Sequence, residues 1–188
     1  MLLWALISSS LFSEWEIARL SQSGEIALAE PLALARSIRH YLNSGEPGLI
    51  QQHRLNNPER AHLLSVKQLL ARLKLLIALL AVLSLVMFSL LARQTRLGDA
   101  LHLILRHSAL FSFTLALLSG AALLVKGFGK LFIQFHQLLF ARADWVFPAD
   151  STLTTLFPPQ LFLHGMLAWL AMMVMMALLL ALGARRFT

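Results

Sequence analysis

Residues 73–92 read LKLLIALLAVLSLVMFSLLA, a run of 20 residues in which Lys74 is the only charged side chain. A helix needs about 20 mostly apolar residues to cross the hydrocarbon core of a bilayer. We therefore expect this run to form a transmembrane helix. Of the 188 residues in the chain, 58% are hydrophobic and only 13% are charged. This composition is typical of an integral membrane protein.

Two further runs meet the same criterion, residues 108–125 and residues 161–182. The apolar opening, MLLWALISSSLF, covers only about 18 Å as a helix, so we interpret residues 1–13 as a short first span. A signal peptide is the alternative, but the stretch has no basic start and no small-residue cleavage site. The sequence thus predicts an all-α fold, a polytopic helical bundle of four spans in a single membrane domain.

Charge and cysteine content exclude several classes of function. The net charge of +7 is spread singly between apolar runs rather than gathered in a patch, so we expect no nucleic-acid partner. The chain has no cysteine, which excludes disulfides and thiolate metal sites. Histidine and carboxylate side chains therefore remain as the candidates for chemistry.

The basic residues near the ends of the predicted spans set the expected orientation. They are Arg93, Arg96, Arg106, Arg185 and Arg186. Because short cytoplasmic segments are enriched in Lys and Arg, we expect the connection between the second and third spans, and the C-terminus, to be cytoplasmic. Residues 14–72 and 126–160 then lie on the outer face of the membrane.

The outer segments contain amphipathic helical patterns. In residues 31–45, PLALARSIRHYLNSG, four apolar residues recur at helical spacing and predict an interfacial helix. They are Leu32, Ala35, Ile38 and Leu42. A later helix is expected to be capped by Asn57, with Pro58 in its first turn, and to run into the span at residue 73.

Two histidines lie on apolar faces of the outer segments. His62 shares a helix face with Glu59 and several leucines, and His136 shares one with Phe132 and Phe140. Ionisable groups at membrane depth are candidates for function. The alternative is structural: each imidazole bonds a backbone carbonyl or reaches the lipid headgroups beside an interfacial anchor such as Trp145.

The remaining polar residues give weaker signals. His164 could join the other two histidines at a zinc or copper ion, but no HxH, HxxxH or HExxH spacing occurs, so we expect no metal. No histidine pair lies at matching depth in the spans, and we expect no haem or other cofactor. His102 and His107 are interpreted as a polar helix end. Asp150 is expected to cap the short helix STLTTLF.

Three segments together resemble one family. They are NPERAHLLSVK at residues 57–67, FHQLLFARADWVF at residues 135–147 and DSTLTTLFPPQLF at residues 150–162. With the span layout, they are similar to the lipoprotein intramolecular transacylase (Lit) family of small bacterial four-span membrane proteins. The chain departs from the family pattern at Ser65, where the family tends to have an aspartate.

The resemblance implies an activity and a site. The family moves the sn-2 acyl chain of an S-diacylglyceryl cysteine to the α-amine of the same cysteine, which gives the lyso-form lipoprotein. His62 and His136 match its two histidines. We expect His136 to be the general base, His62 to orient or donate a proton, and Glu59 and Trp145 to support them.

The expected partners are a diacylated lipoprotein substrate and membrane lipids. The expected location is the bacterial inner membrane, multi-pass, with the site on the outer face. A non-catalytic lipid- or lipoprotein-binding membrane protein is the alternative function. A metal-dependent hydrolase and a small transporter are further alternatives, the latter disfavoured because the spans carry no charges near their middles.

Overall fold

Three helices that are long and apolar enough to cross a membrane run through the protein, whose computed structural model describes residues 10–44, 55–140 and 145–187. All regular structure in those residues is helical, which confirms the all-α prediction. In chain order the helices are α1 (Ser10–Gln22), α2 (Pro31–Ser44), α3 (Asn57–Gln94), α4 (Leu97–Lys126), α5 (Phe128–Leu139), α6 (Thr152–Leu156) and α7 (Pro159–Ala184), and a 3₁₀ turn (Arg185–Phe187) follows.

The spanning helices are α3, α4 and α7. They contain the three longer predicted spans, but each extends beyond its apolar run. Helix α3 has 38 residues and is therefore about 57 Å long, well beyond the roughly 30 Å hydrocarbon core. The turns of α3 that precede residue 73 therefore extend beyond the membrane-crossing run.

Most of the predicted first span, residues 1–13, lies outside the described residues. From Ser10 onwards the chain belongs to α1, which continues past Glu14 to Gln22. The four-span count stays a prediction, as does the interfacial setting of α2.

The chain divides into two compact units. The first combines residues 1–73 with residues 128–166 and has a hydrophobic core. The core side chains are Ile17, Leu20, Ile26, Leu34, Ala35, Ile38, Tyr41, Leu55, Leu63, Leu153, Leu156 and Leu161. The second unit combines residues 74–127 with residues 167–188 and exposes large apolar side chains along its helices, as lipid-facing helices do.

Helix α2 begins at the predicted residue, and the face that it turns to the core is wider than predicted. Leu34 and Tyr41 are buried together with Ala35 and Ile38, while Leu32 and Leu42 are partly buried and pack against the same core. Helix α2 is also hydrogen-bonded to α1, because Arg36 and Arg39 both donate to the Glu14 carboxylate. These hydrogen bonds lower the pKa of Glu14 to about 2.

Two helix caps lie one residue away from the predicted positions. Asn56, not Asn57, caps α3, and its Oδ1 accepts from the Glu59 N–H at 2.9 Å. Ser151, not Asp150, caps α6, and its Oγ accepts from the Thr154 N–H at 3.2 Å. Asparagine, aspartate and serine are all good capping residues, so the sequence alone does not choose between neighbours.

Candidate functional site

Glu59 lies in the first turn of α3, and its side chain is only 1% exposed. Its Oε2 accepts from the Asn56 N–H at 2.8 Å, while Asn56 Oδ1 accepts from the Glu59 N–H. This reciprocal pair is a capping box with asparagine at the cap, which satisfies amides that the first turn leaves unpaired. The start of α3, one turn before His62, is thereby fixed.

The other oxygen of Glu59 ties α6 to α3. Glu59 Oε1 accepts from the Leu153 N–H at 2.9 Å, near the amino end of α6. Because Ser151 caps the same end, two side chains satisfy the first amides of this short helix. The segment that leads into α6 carries Trp145 and Phe147. Glu59 therefore holds together the segments on both sides of the site.

His136 lies on α5 with its ring oriented by its own backbone. Its Nδ1 is 2.8 Å from the carbonyl oxygen of Phe132, one turn earlier. A carbonyl only accepts, so Nδ1 must carry the hydrogen. In the neutral imidazole, Nε2 then has the lone pair that can take a proton.

The two histidines meet inside an aromatic enclosure. The ring centroids of His62 and His136 are 6.2 Å apart, with an interplanar angle of 30°. Phe140 contacts both, at 5.0 Å from His62 and 5.7 Å from His136. Phe147 lies 5.5 Å from His62, and Trp145 lies 4.9 Å from His136. The enclosure places two imidazoles together in mostly apolar surroundings.

Burial lowers the pKa of His136 from its ordinary value of 6.5, although the Phe132 carbonyl favours the charged form. Desolvation penalises the imidazolium more than the neutral ring. At neutral pH the His136 ring is therefore a proton acceptor in an environment that keeps it uncharged.

The structure brings together three of the four predicted site residues through direct ring contacts, namely His62, His136 and Trp145. Glu59 is one turn from His62, and its hydrogen bonds are with the Asn56 and Leu153 amides. Glu59 thus contributes to the site by linking the start of α3 to the start of α6.

Three other histidines among the described residues have different partners. His102 Nδ1 donates to the Ala184 carbonyl at 3.0 Å, and His107 Nδ1 donates to the Leu103 carbonyl at 2.8 Å. His164 bonds Glu16 rather than either site histidine. In the part of the chain that the structure describes, no group of three or more His, Cys, Asp or Glu residues could hold a metal ion.

Sequence reasoning missed the cluster formed by Glu16, Arg19 and His164. Glu16 is 1% exposed, and both of its oxygens accept from the guanidinium of Arg19, at 2.6 and 3.1 Å. Arg19, and secondarily His164, lower the pKa of the Glu16 carboxyl. The spacing of Glu16 and Arg19 is a helical salt-bridge signal. The sequence did not signal the pairing with His164, 148 positions away.

Comparisons with known proteins give two findings. The family model described as lipoprotein intramolecular transacylase Lit matches residues 3–162. The fold is similar to the structure of the membrane integral lipoprotein intramolecular transacylase Lit from Bacillus cereus, with a TM-score of 0.81 and 18% identity, over 98% of this chain and 86% of that one. A comparison with curated proteins finds no significant match.

Proposed function

Because this chain belongs to the lipoprotein intramolecular transacylase Lit family, we propose that it transfers the sn-2 acyl chain of an S-diacylglyceryl cysteine to the α-amine of that same cysteine. The product is the lyso-form of the lipoprotein. The observation that carries the proposal is the pairing of His62 and His136, with ring centroids 6.2 Å apart in an aromatic enclosure. Such a site offers two proton-transfer groups to an ester and an amine.

The substrate nitrogen must lose two protons and the sn-2 oxygen must gain one. His136 Nε2 takes a proton from the substrate ammonium, and the free amine attacks the sn-2 ester carbonyl. The bond between the carbonyl carbon and the sn-2 oxygen then breaks, and we assign His62 to protonating that oxygen. The second proton of the new amide nitrogen returns to His62, so the proton taken up by His136 is the one released. The balance is one amide and one hydroxyl formed from one ester and one ammonium, with one proton released.

The surroundings of His136 suit the role of base. Burial lowers the pKa of His136, so the ring is neutral at the pH at which it must accept a proton. The Nδ1–H···O bond to Phe132 directs the accepting lone pair to Nε2. Because amine and ester belong to one substrate molecule, proximity supplies a large part of the rate and no acyl-enzyme is required.

Trp145 and Glu59 support these two groups without touching the reacting atoms. Trp145 packs against His136 at 4.9 Å and limits the positions of the ring. Glu59 fixes the start of α3 one turn before His62, and it holds α6 through Leu153. The proposed location of the site is the outer face of the bacterial inner membrane, because the basic residues at the opposite ends of the spans are expected to be cytoplasmic.

Mass spectrometry of the N-terminal lipopeptide tests the proposal. In cells lacking N-acylating enzymes, expression of the wild-type chain is expected to convert the diacylglyceryl cysteine to an N-acyl, S-monoacylglyceryl cysteine of unchanged total mass. Fragment ions distinguish the two. His136→Ala is expected to abolish the conversion, with a loss of about 100-fold or more, as for removal of a general base.

His107→Ala is the matched control. His107 makes the same bond to the carbonyl four residues earlier, at 2.8 Å like His136, but it is exposed and lies on α4. Equal losses in both variants would indicate a helix defect and contradict the assignment of His136. No conversion by the well-expressed wild type would reject the activity and favour a lipoprotein-binding role.

A further inference from the structure

Phe140 contacts both histidines of the site. Its ring centroid lies 5.0 Å from that of His62 and 5.7 Å from that of His136, and the two imidazole centroids are 6.2 Å apart. The three rings therefore form a triangle in which each ring contacts the other two. Among the described residues, Phe140 is the aromatic residue shared by both histidines, whereas Phe147 packs against His62 and Phe135 packs against His136.

The position of Phe140 is fixed by its backbone and by its surroundings. Its N–H donates to the His136 carbonyl oxygen at 2.8 Å, which places its backbone one turn after that histidine. Phe140 is only 9% exposed, although α5, which ends at the preceding residue, has no buried side chain of its own. The ring of Phe140 is therefore a fixed, internal part of the site.

The two imidazoles are too far apart to hydrogen-bond to each other. An N–H···N bond of about 2.9 Å brings two imidazole centroids to about 5 Å, whereas those of His62 and His136 are 6.2 Å apart. The separation matters because His136 Nδ1 already donates to Phe132, which leaves Nε2 as the accepting nitrogen. An N–H of His62 that reached Nε2 would occupy the lone pair with which His136 takes the substrate proton.

We propose that Phe140 is a positioning residue that holds His62 and His136 apart, so that each exchanges a proton with the substrate rather than with the other. Its ring packs against both imidazoles and prevents the small movement that would bring them within hydrogen-bonding distance. A smaller side chain leaves space into which neighbouring rings can move. The inference rests on the proposed transacylase function and adds to it a residue that the mechanism above does not use.

A series of side-chain sizes at position 140 tests the proposal. Purified Phe140→Leu, Phe140→Val and Phe140→Ala are assayed in detergent for lipopeptide conversion, and kcat and KM are measured separately. The kcat is expected to fall in that order, with a loss of about 100-fold for Phe140→Ala, as for a misplacement of about 1 Å. The KM is expected to stay unchanged, because the spacing of the imidazoles acts on the proton transfers and not on substrate binding.

Phe135→Ala is the matched control. Phe135 also packs against His136, at 5.6 Å, but it is 52% exposed and lies outside the triangle of rings. Its variant is expected to keep the kcat of the wild type. Circular dichroism checks that each variant is folded. If Phe140→Ala is not folded, the comparison of Phe140→Val with Phe140→Leu carries the test.

Nuclear magnetic resonance gives a second readout that does not depend on activity. In ¹⁵N-histidine-labelled protein at alkaline pH, where imidazoles are neutral, a ¹⁵N–¹⁵N coupling across an N–H···N hydrogen bond reports contact between the two rings. The coupling is expected to be absent in the wild type and in Phe140→Leu. It is expected to appear in Phe140→Ala, or in Phe140→Val if the alanine variant is not folded.

Three results would overturn the role of Phe140 while leaving the transacylase function in place. They are a kcat of Phe140→Ala equal to that of Phe135→Ala, a loss in Phe140→Leu as large as in Phe140→Ala, and no ¹⁵N–¹⁵N coupling in the folded small-side-chain variants. No conversion by the folded wild type would instead reject the transacylase function. The coupling measurement would then decide alone whether Phe140 holds the imidazoles apart.

Discussion

One ring nitrogen of His136 is hydrogen-bonded to the backbone, and the other has the lone pair that can accept a proton. Nδ1 donates to the Phe132 carbonyl, so the same bond that orients the ring selects Nε2 as the proton acceptor. His62 faces it across 6.2 Å, and aromatic rings surround both. In the mechanism that we propose, His136 takes a proton from the substrate and His62 gives one to it.

Titration of His136 gives a prediction at this scale. Burial lowers the pKa of His136 below its ordinary 6.5 in the folded chain, so the neutral ring persists to a lower pH than in the unfolded chain. Because the unfolded chain takes up the proton first, His136 lowers the free energy of unfolding as the pH falls from above 6.5 to below the pKa of the folded state. NMR of histidine-labelled protein, with His136→Gln to assign the signal, is expected to give a midpoint below 6.5. A midpoint at or above 6.5 would contradict the account of His136 as a desolvated base.

Much of the histidine site could be predicted from sequence. Helical periodicity places His62 and His136 on apolar faces, and the resemblance to a family pairs them. The partners of Glu59 could not be predicted, because the bond to Leu153 joins residues 94 positions apart. The periodicity of apolar side chains predicts which face of a helix is buried, but it does not predict which element packs against that face.

At the scale of elements, Glu59 links two helix starts. One carboxylate oxygen completes the cap of α3 and the other accepts from an amide at the start of α6. The two helices α3 and α6 were themselves predicted from the sequence. The cap of α3 was predicted one residue too late and that of α6 one residue too early. Adjacent residues can both act as caps, and packing selects between them.

Glu59→Gln tests this link. Glutamine retains one accepting oxygen but presents an amide donor to a backbone N–H, so one buried donor loses its partner at a cost of about 1–3 kcal/mol. The thermal midpoint in detergent is expected to fall by roughly 5 °C. Glu30→Gln, at an exposed carboxylate before α2, is the control and is expected to have little effect. Equal midpoints for the two variants would show that Glu59 does not hold the helix starts.

At the scale of the molecule, the two units differ in what they bury. The first has a hydrophobic core of its own, whereas the second exposes long apolar helix faces. The sequence predicts the second kind of surface well, because a run such as residues 73–92 is apolar on almost every side. The composition of the first core was harder to predict, since α2 buries Leu34 and Tyr41 in addition to the predicted Ala35 and Ile38.

The orientation of the chain in the membrane is a prediction that cysteine labelling checks. The natural sequence has no cysteine, so a single introduced thiol reports one position. In spheroplasts, a membrane-impermeant maleimide is expected to label Gln22→Cys at the end of α1. It is expected to label Gln94→Cys, between Arg93 and Arg96, only after the membrane is opened. Labelling of Gln94→Cys from outside would reverse the proposed topology.

The most direct test of the central claim is an isotope-mixing measurement with purified protein. One diacylated lipopeptide carries heavy acyl chains and a light peptide, and a second carries light acyl chains and a heavy peptide. The two are supplied together, and the N-acylated products are weighed and fragmented. Intramolecular transfer predicts that every product keeps the acyl and peptide labels of one parent molecule. Products that combine the acyl label of one parent with the peptide label of the other would contradict it.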